Sequence, residues 1–116
     1  MSAITLLDEA QLATLRMLRN GKLLGGLIRT YRAQVQQQLP DMQAAIASND
    51  ITQVASIAHS MKSASFTLGA TQMGQLSTAL ESAAMQRDID QCMSILKSMN
   101  ETYDALLPEL AREEQA

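Results

Sequence analysis

Apolar residues recur at alternating spacings of three and four through most of this chain, which places them on one face of α-helices turning by about 100° per residue. The last segment shows it most fully, with Ile89, Cys92, Leu96, Met99, Tyr103, Leu106 and Leu110 on one stripe. Ile51, Val54, Ala58, Met61, Ser65 and Leu68 form a second stripe, with a small hydroxyl on its seam, and Met73, Leu76, Leu80, Ala83 and Arg87 a third. A fourth runs through Leu24, Ile28, Tyr31, Val35, Leu39, Met42 and Ile46. It keeps its phase past Pro40 and so reads as one helix kinked at the proline, a break into two shorter helices being the alternative. Asp8, Asp50 and Asp88 each precede a glutamine by three residues, the spacing of an N-cap acid and its partner. Gly21 and Gly69 stand where apolar runs end and a left-handed residue closes a helix. The map is a short helix at about 9–19, then long helices at about 23–48, 51–68, 71–86 and 89–112. Short connections make sequential helices antiparallel, so the expected architecture is all-α, an antiparallel four-helix bundle with an additional short N-terminal helix. Gly25 and Gly26 each cost roughly 1 kcal/mol inside a helix relative to alanine. They either delay the start of the second helix or permit a close backbone approach.

Composition narrows the class. The 116 residues predict one domain, 1–116, and 47% hydrophobic against 18% charged excludes intrinsic disorder. Nine basic residues against twelve acidic ones leave no excess to neutralise phosphates, which argues against nucleic-acid binding. The start lacks a signal-peptide pattern and no stretch approaches about 18 apolar residues, so a soluble protein without membrane association is expected. Capping at both ends favours a free-standing chain. Cys92 has no second cysteine to bridge, which fits a reducing, cytoplasmic compartment. It falls on the seam as a small hydrophobe, and Met61, Met73, Met93 and Met99 fall on core positions as filler.

There is no glycine-rich phosphate loop, no cysteine pair and no second histidine, so most enzyme classes, and any metal site or cofactor, drop out. His59 remains. It lies roughly 140° from the apolar centre of its helix and should face solvent. Its neighbours on that side are Thr52, Ser56, Lys62, Ser63 and Phe66, mostly small or polar. An exposed histidine by itself carries no function. Lys62, one turn on, puts an ammonium beside the ring, which suits an imidazole that acquires a phosphoryl group. Ser56 and Ser63 leave room for another protein's surface. Glu81 lies about 110° from the apolar centre of its own helix, on a flank it shares with Gly74. His59 is ten residues before Gly69 and Glu81 twelve after it, so an antiparallel pair puts both at similar height. Glu81 then either meets His59 or is an ordinary solvated glutamate.

The segment Ala58–Ala70, AHSMKSASFTLGA, followed by Leu80 and Glu81, resembles the histidine-containing phosphotransfer (HPt) domains of bacterial phosphorelays. Ala58, His59, Met61, Lys62, Leu68 and Gly69 stand where that family places Ala-His, an apolar residue, lysine and a Leu-Gly pair. Tyr31 takes a usual aromatic position and Ala44–Asp50 resembles the alanine-rich helix end before an Asp, so the likeness covers Leu24 to Arg87. Ser63 replaces the glycine that usually follows the lysine, which reshapes access to the ring. The resemblance implies a carrier rather than an enzyme. His59 would accept a phosphoryl group through Nε2 and exchange it with the aspartate of a response-regulator receiver domain, which brings Mg²⁺ and most catalytic groups. A hybrid sensor histidine kinase would be the other partner. Glu81 would hold Nδ1–H, and Lys62 would offset the charge of the phosphohistidine. Ser56, Ser63, Phe66, Gln75 and Thr78 would form the docking surface of a monomer. Phe66 is either its apolar anchor or packed against the neighbouring helix. The competing reading is a noncatalytic helical adaptor that occludes a signalling partner.

Overall fold

The computed structural model describes residues 6–18 and 22–115. Five helices follow in order: α1 (Glu9–Met17), α2 (Lys22–Ala47), α3 (Ile51–Leu68), α4 (Thr71–Met85) and α5 (Ile89–Gln115). α2 packs on α3 and α5, α3 on α4, and α4 on α5, so the four long helices close into an antiparallel bundle; α1 lies against α2. No strand occurs among the described residues.

All three connections between long helices share one device. At each, a residue with positive φ ends one helix: Asn49 (59°), Gly69 (91°) and Arg87 (60°). The next amide reaches back five residues, Asp50 to the carbonyl of Ala45 (2.8 Å), Ala70 to Ser65 (2.8 Å) and Asp88 to Ala83 (3.0 Å). The left-handed residue thereby satisfies carbonyls the helix end would leave bare. The following residue caps the next helix at once at two of these turns. Asp50 Oδ1 accepts from the Gln53 amide at 3.2 Å and Asp88 Oδ1 from the Gln91 amide at 3.1 Å. Asp8 does the same for α1, accepting from the Ala10 amide at 3.0 Å. The predicted acid caps therefore form. The side chain of Gln11 does not reach back in a capping box; its amide donates to the Thr67 carbonyl at 2.8 Å. Together with the Asp8 amide bond to the Gly69 carbonyl (2.7 Å), this fastens α1 over the α3–α4 turn.

The boundaries correct several expectations. α1 ends at Met17, short of 19, and α5 continues to Gln115, beyond 112; the expected stop at Gly21 lies outside the described residues. α2 runs unbroken through Pro40, whose exposed position lets the missing hydrogen bond fall on the solvent side. Gly25 and Gly26 neither delay α2, already under way at Lys22, nor admit a second backbone. A Cβ at either would meet only the Arg29 side chain, at 3.5 and 3.9 Å. Arg87 is no member of the α4 stripe: it is the exposed left-handed residue after the helix. The buried side of α4 is Met73, Gly74, Ser77, Leu80, Ala83 and Ala84, with Leu76 only half-buried. Ser77 tolerates this by donating its hydroxyl to the Met73 carbonyl at 2.8 Å. Met93 is not core filler; it is 57% exposed, one residue and so about 100° off the α5 seam that Cys92 occupies. Met61, Met73, Met99 and Cys92 are fully buried as expected.

Ile28, Met42, Met61, Leu80, Leu106 and Leu110 fill the bundle centre. One hydrogen-bonded polar pair joins two helices among them. The Tyr31 hydroxyl and Ser65 Oγ hydrogen-bond at 2.8 Å, both residues being buried, and burial pushes the Tyr31 phenol up to about 12. Ser65→Ala should therefore destabilise the fold by roughly 1–3 kcal/mol, because the Tyr31 hydroxyl then stays buried without its partner. Adding Tyr31→Phe should recover most of that loss. Urea unfolding of the four proteins in a double-mutant cycle checks the coupling.

Candidate functional site

His59 lies midway along α3 with its side chain 66% exposed, as its position off the apolar stripe predicts. The Gly69 turn returns the chain antiparallel, and α4 brings Glu81 level with the ring: His59 Nδ1 and Glu81 Oε2 are 3.0 Å apart. The other carboxylate oxygen, Oε1, accepts from Lys62 Nζ at 2.8 Å. Each oxygen of Glu81 thus has its own nitrogen. The Lys62 hydrogen bond holds the Glu81 carboxyl below the ordinary glutamate value; burial opposes it, and the His59 hydrogen bond adds a lesser lowering. An ionised carboxylate has no proton to donate, so the proton in the contact with His59 belongs to Nδ1. The neutral ring is then the Nδ1–H tautomer, which leaves a lone pair on Nε2. Nε2 has no protein partner among the described residues.

Apart from the Lys62–Glu81 pair, the residues around the ring are uncharged. Ser56 precedes His59, and Ser63 and Phe66 follow it, along the same outward strip of α3, and Gln75 and Thr78 are exposed on α4. Phe66 packs against the neighbouring helix while keeping part of its ring in solvent. It is 44% exposed, yet its ring lies so close over Gly74 that a Cβ there would come within 2.7 Å of Cε1 and Cζ. Thr78 Oγ1 donates to the Gly74 carbonyl and Thr67 Oγ1 to the Ser63 carbonyl, each at 2.9 Å. Lys62, expected on the same side of α3 as the ring, is there, 28% exposed and paired with Glu81.

Two features escaped the sequence. The Lys62–Glu81 pair was within reach of the same height count, since Lys62 is one turn from His59. Gly74 as the seat of Phe66 had only one signal, a glycine inside an otherwise regular helix. Among the described residues no three His, Cys, Asp or Glu side chains converge as metal ligands, and no helix is long and apolar enough to cross a membrane. A recess of about 560 Å³ between α2 and α5 is lined by Ile46, Ile89, Met93 and Leu96 and includes no residue of this site.

The profile of the Hpt domain matches residues 26–112. The chain belongs to the Hpt domain family, the phosphotransfer proteins of two-component signalling. Its structure is similar to that of histidine-containing phosphotransfer protein B (HptB) from Pseudomonas aeruginosa PAO1, with a TM-score of 0.90 over 97% of each chain at 21% sequence identity. That likeness extends the shared helical fold to α1, which the family profile does not reach. No curated protein sequence matches the chain significantly.

The depressed Glu81 titration has a sign that can be checked. A carboxyl held down in the folded state adds stability at neutral pH, and that contribution is lost as pH falls through its folded value, below the ordinary glutamate range. Lys62→Met removes the larger of the two lowering influences, so the Glu81 carboxyl should move up toward that range. A ¹³C carboxyl NMR titration of both proteins reads the change. Superimposable curves would show that Lys62 does not hold the carboxylate.

Proposed function

We propose that this chain, acting as a single domain over residues 1–116, is a cytoplasmic phosphorelay carrier. It accepts a phosphoryl group on His59 Nε2 and exchanges it with the aspartate of a response-regulator receiver domain, a hybrid sensor histidine kinase being the other end of the relay. The observation that carries this reading is the 3.0 Å contact of Nδ1 with Glu81 on a ring that is two-thirds exposed. It fixes the tautomer that a nucleophilic Nε2 requires and leaves that atom open to a partner. The Hpt family membership supports the same chemistry.

In the transfer step the Nε2 lone pair attacks the phosphorus of the receiver's aspartyl phosphate. The N–P bond forms as the P–O bond to the aspartate breaks, and the carboxylate leaves with its electron pair. The ring keeps its proton on Nδ1 and becomes a phosphorylated imidazolium, whose positive charge faces the Glu81 carboxylate. The reverse step returns the phosphoryl group without any net proton change. Lys62 acts through Glu81, keeping the carboxylate ionised and turned so that Oε2 meets the ring. The receiver brings its own Mg²⁺, so the chain needs to present only a correctly oriented, accessible nucleophile. Ser56, Ser63, Phe66, Gln75 and Thr78 surround the path of approach as partner contacts, and the carrier works as a monomer.

Incubation with a phosphorylated receiver domain tests this. Acid-labile, base-stable label should appear on the chain and be absent from His59→Gln, whose thermal melting should be unchanged because an exposed side chain adds little packing. Label persisting on the variant would overturn the assignment. Glu81→Ala should slow transfer severalfold or more without stopping it, and Glu81→Gln should fall between, since an amide oxygen accepts the same bond without the charge. Equal rates for all three would make Glu81 a bystander.

A further inference from the structure

The charge of this chain is unevenly distributed. From Ile51 to Met85, the whole of α3, its turn and α4, the only Asp, Glu, Lys or Arg residues are Lys62 and Glu81, and these two pair with each other at 2.8 Å. The remaining charges, and the net −3, lie elsewhere: α5 alone carries Asp90, Glu101, Asp104, Glu109, Glu113 and Glu114. The face around His59 therefore carries no unpaired formal charge while the ring is neutral.

Several of its polar groups are already paired within the chain, and those that are not, such as Ser56, Ser63 and Gln75, are uncharged. The hydroxyls of Thr67 and Thr78 are bonded to carbonyls on their own helices, and Ser60 Oγ accepts from the side-chain amides of Gln34 and Gln38 at 3.2 and 3.3 Å. In their midst Phe66 is the only large apolar side chain exposed on α3, its ring braced over Gly74. A charged group buried against such a face would lose its water and find no counter-charge. An apolar patch would lose only water.

We propose that this face binds its receiver-domain partner through an uncharged contact centred on Phe66, with selectivity set by shape and with no electrostatic steering. The inference rests on the phosphotransfer reading, because the occupant is the domain that must bring an aspartyl phosphate to His59. The acidic faces of the molecule would then take no part in encounter. Ser63, the outward residue between His59 and Phe66, lies where the two surfaces press together.

The test is an NMR titration of the ¹⁵N-labelled full chain with a panel of response-regulator receiver domains, each loaded with Mg²⁺ and beryllofluoride. Shift changes should centre on Ser63, Phe66, Gly74 and Thr78, and the Kd should change by less than about threefold between roughly 50 and 500 mM KCl. Ser63→Glu and Ser63→Lys, both at an exposed helical position that leaves folding intact, should each weaken binding by about tenfold or more, since either sign stands unpaired in a neutral contact. Several outcomes overturn the proposal: a tighter complex with one of the two signs, weakening beyond about tenfold with salt, shift changes confined to α5, or no binding by any receiver. A receiver that docks on α3 and α4 yet leaves His59 unlabelled upholds the docking face and overturns the phosphotransfer reading, so the two failures are distinguishable.

Discussion

The site depends on one turn. Gly69, at φ 91°, lets the last carbonyls of α3 be satisfied by the amides of Gly69 and Ala70 within two residues. α4 must therefore start immediately and run back along α3 in a fixed register. That register, and nothing local to either helix, brings Glu81 level with His59. A side chain at position 69 would be strained by the positive φ, and its Cβ would press on Gln11 at 3.2 Å, where α1 covers the turn. The same glycine thus sets the geometry of the site and the seat of the N-terminal helix. Asn49 and Arg87 perform the equivalent task at the other two turns without that second constraint, which is why residues other than glycine serve there.

The interactions at His59 are poor candidates for holding the fold together. A single ion pair at the edge of the bundle such as Lys62–Glu81, part-buried but still reached by solvent, contributes on the order of 0–1 kcal/mol, and the contact of Glu81 with an exposed imidazole no more. The arrangement makes sense as orientation. A carboxylate with one oxygen occupied by lysine has a single free oxygen to offer, so the imidazole meets one acceptor in one place. Lysine reaches from α3, the helix that carries the histidine, while the carboxylate reaches from α4. Any slip of the two helices would break both contacts together. Site geometry is thereby tied to the packing of the most intimately joined helix pair of the bundle.

Much of this was legible in the residues. The apolar stripes located every long helix, the Asp caps located three starts, and the angle from the stripe placed His59 in solvent. Counting from Gly69 put Glu81 beside it. What failed did so for identifiable reasons. Periodicity extended the α4 stripe to Arg87, because a spacing rule cannot see that the helix has ended and that the next residue has turned left-handed. Met93 was assigned to the core on residue type, although it is one position off the seam. Leu76 yields to Gly74 and Ser77 on the buried side because α4 approaches α3 closely enough to prefer small residues there, a tertiary fact with no local signature.

The separation of fold from chemistry then has a structural basis. The core is built from the inner stripes of α2 to α5 and carries one buried polar pair, Tyr31 with Ser65, on the side of α3 away from the ring. His59 stands on the outer strip of that helix, so its protonation, tautomer or modification changes no buried contact. Phosphorylation of such a ring would add negative charge to a face whose only other charges already cancel. The largest local change is then electrostatic and falls at the spot where a partner must sit. A surface that is neutral when empty and charged when loaded would let a partner distinguish the two states without any movement of the bundle. A rigid four-helix scaffold suits that demand, since the signal would lie in the ring and not in the fold.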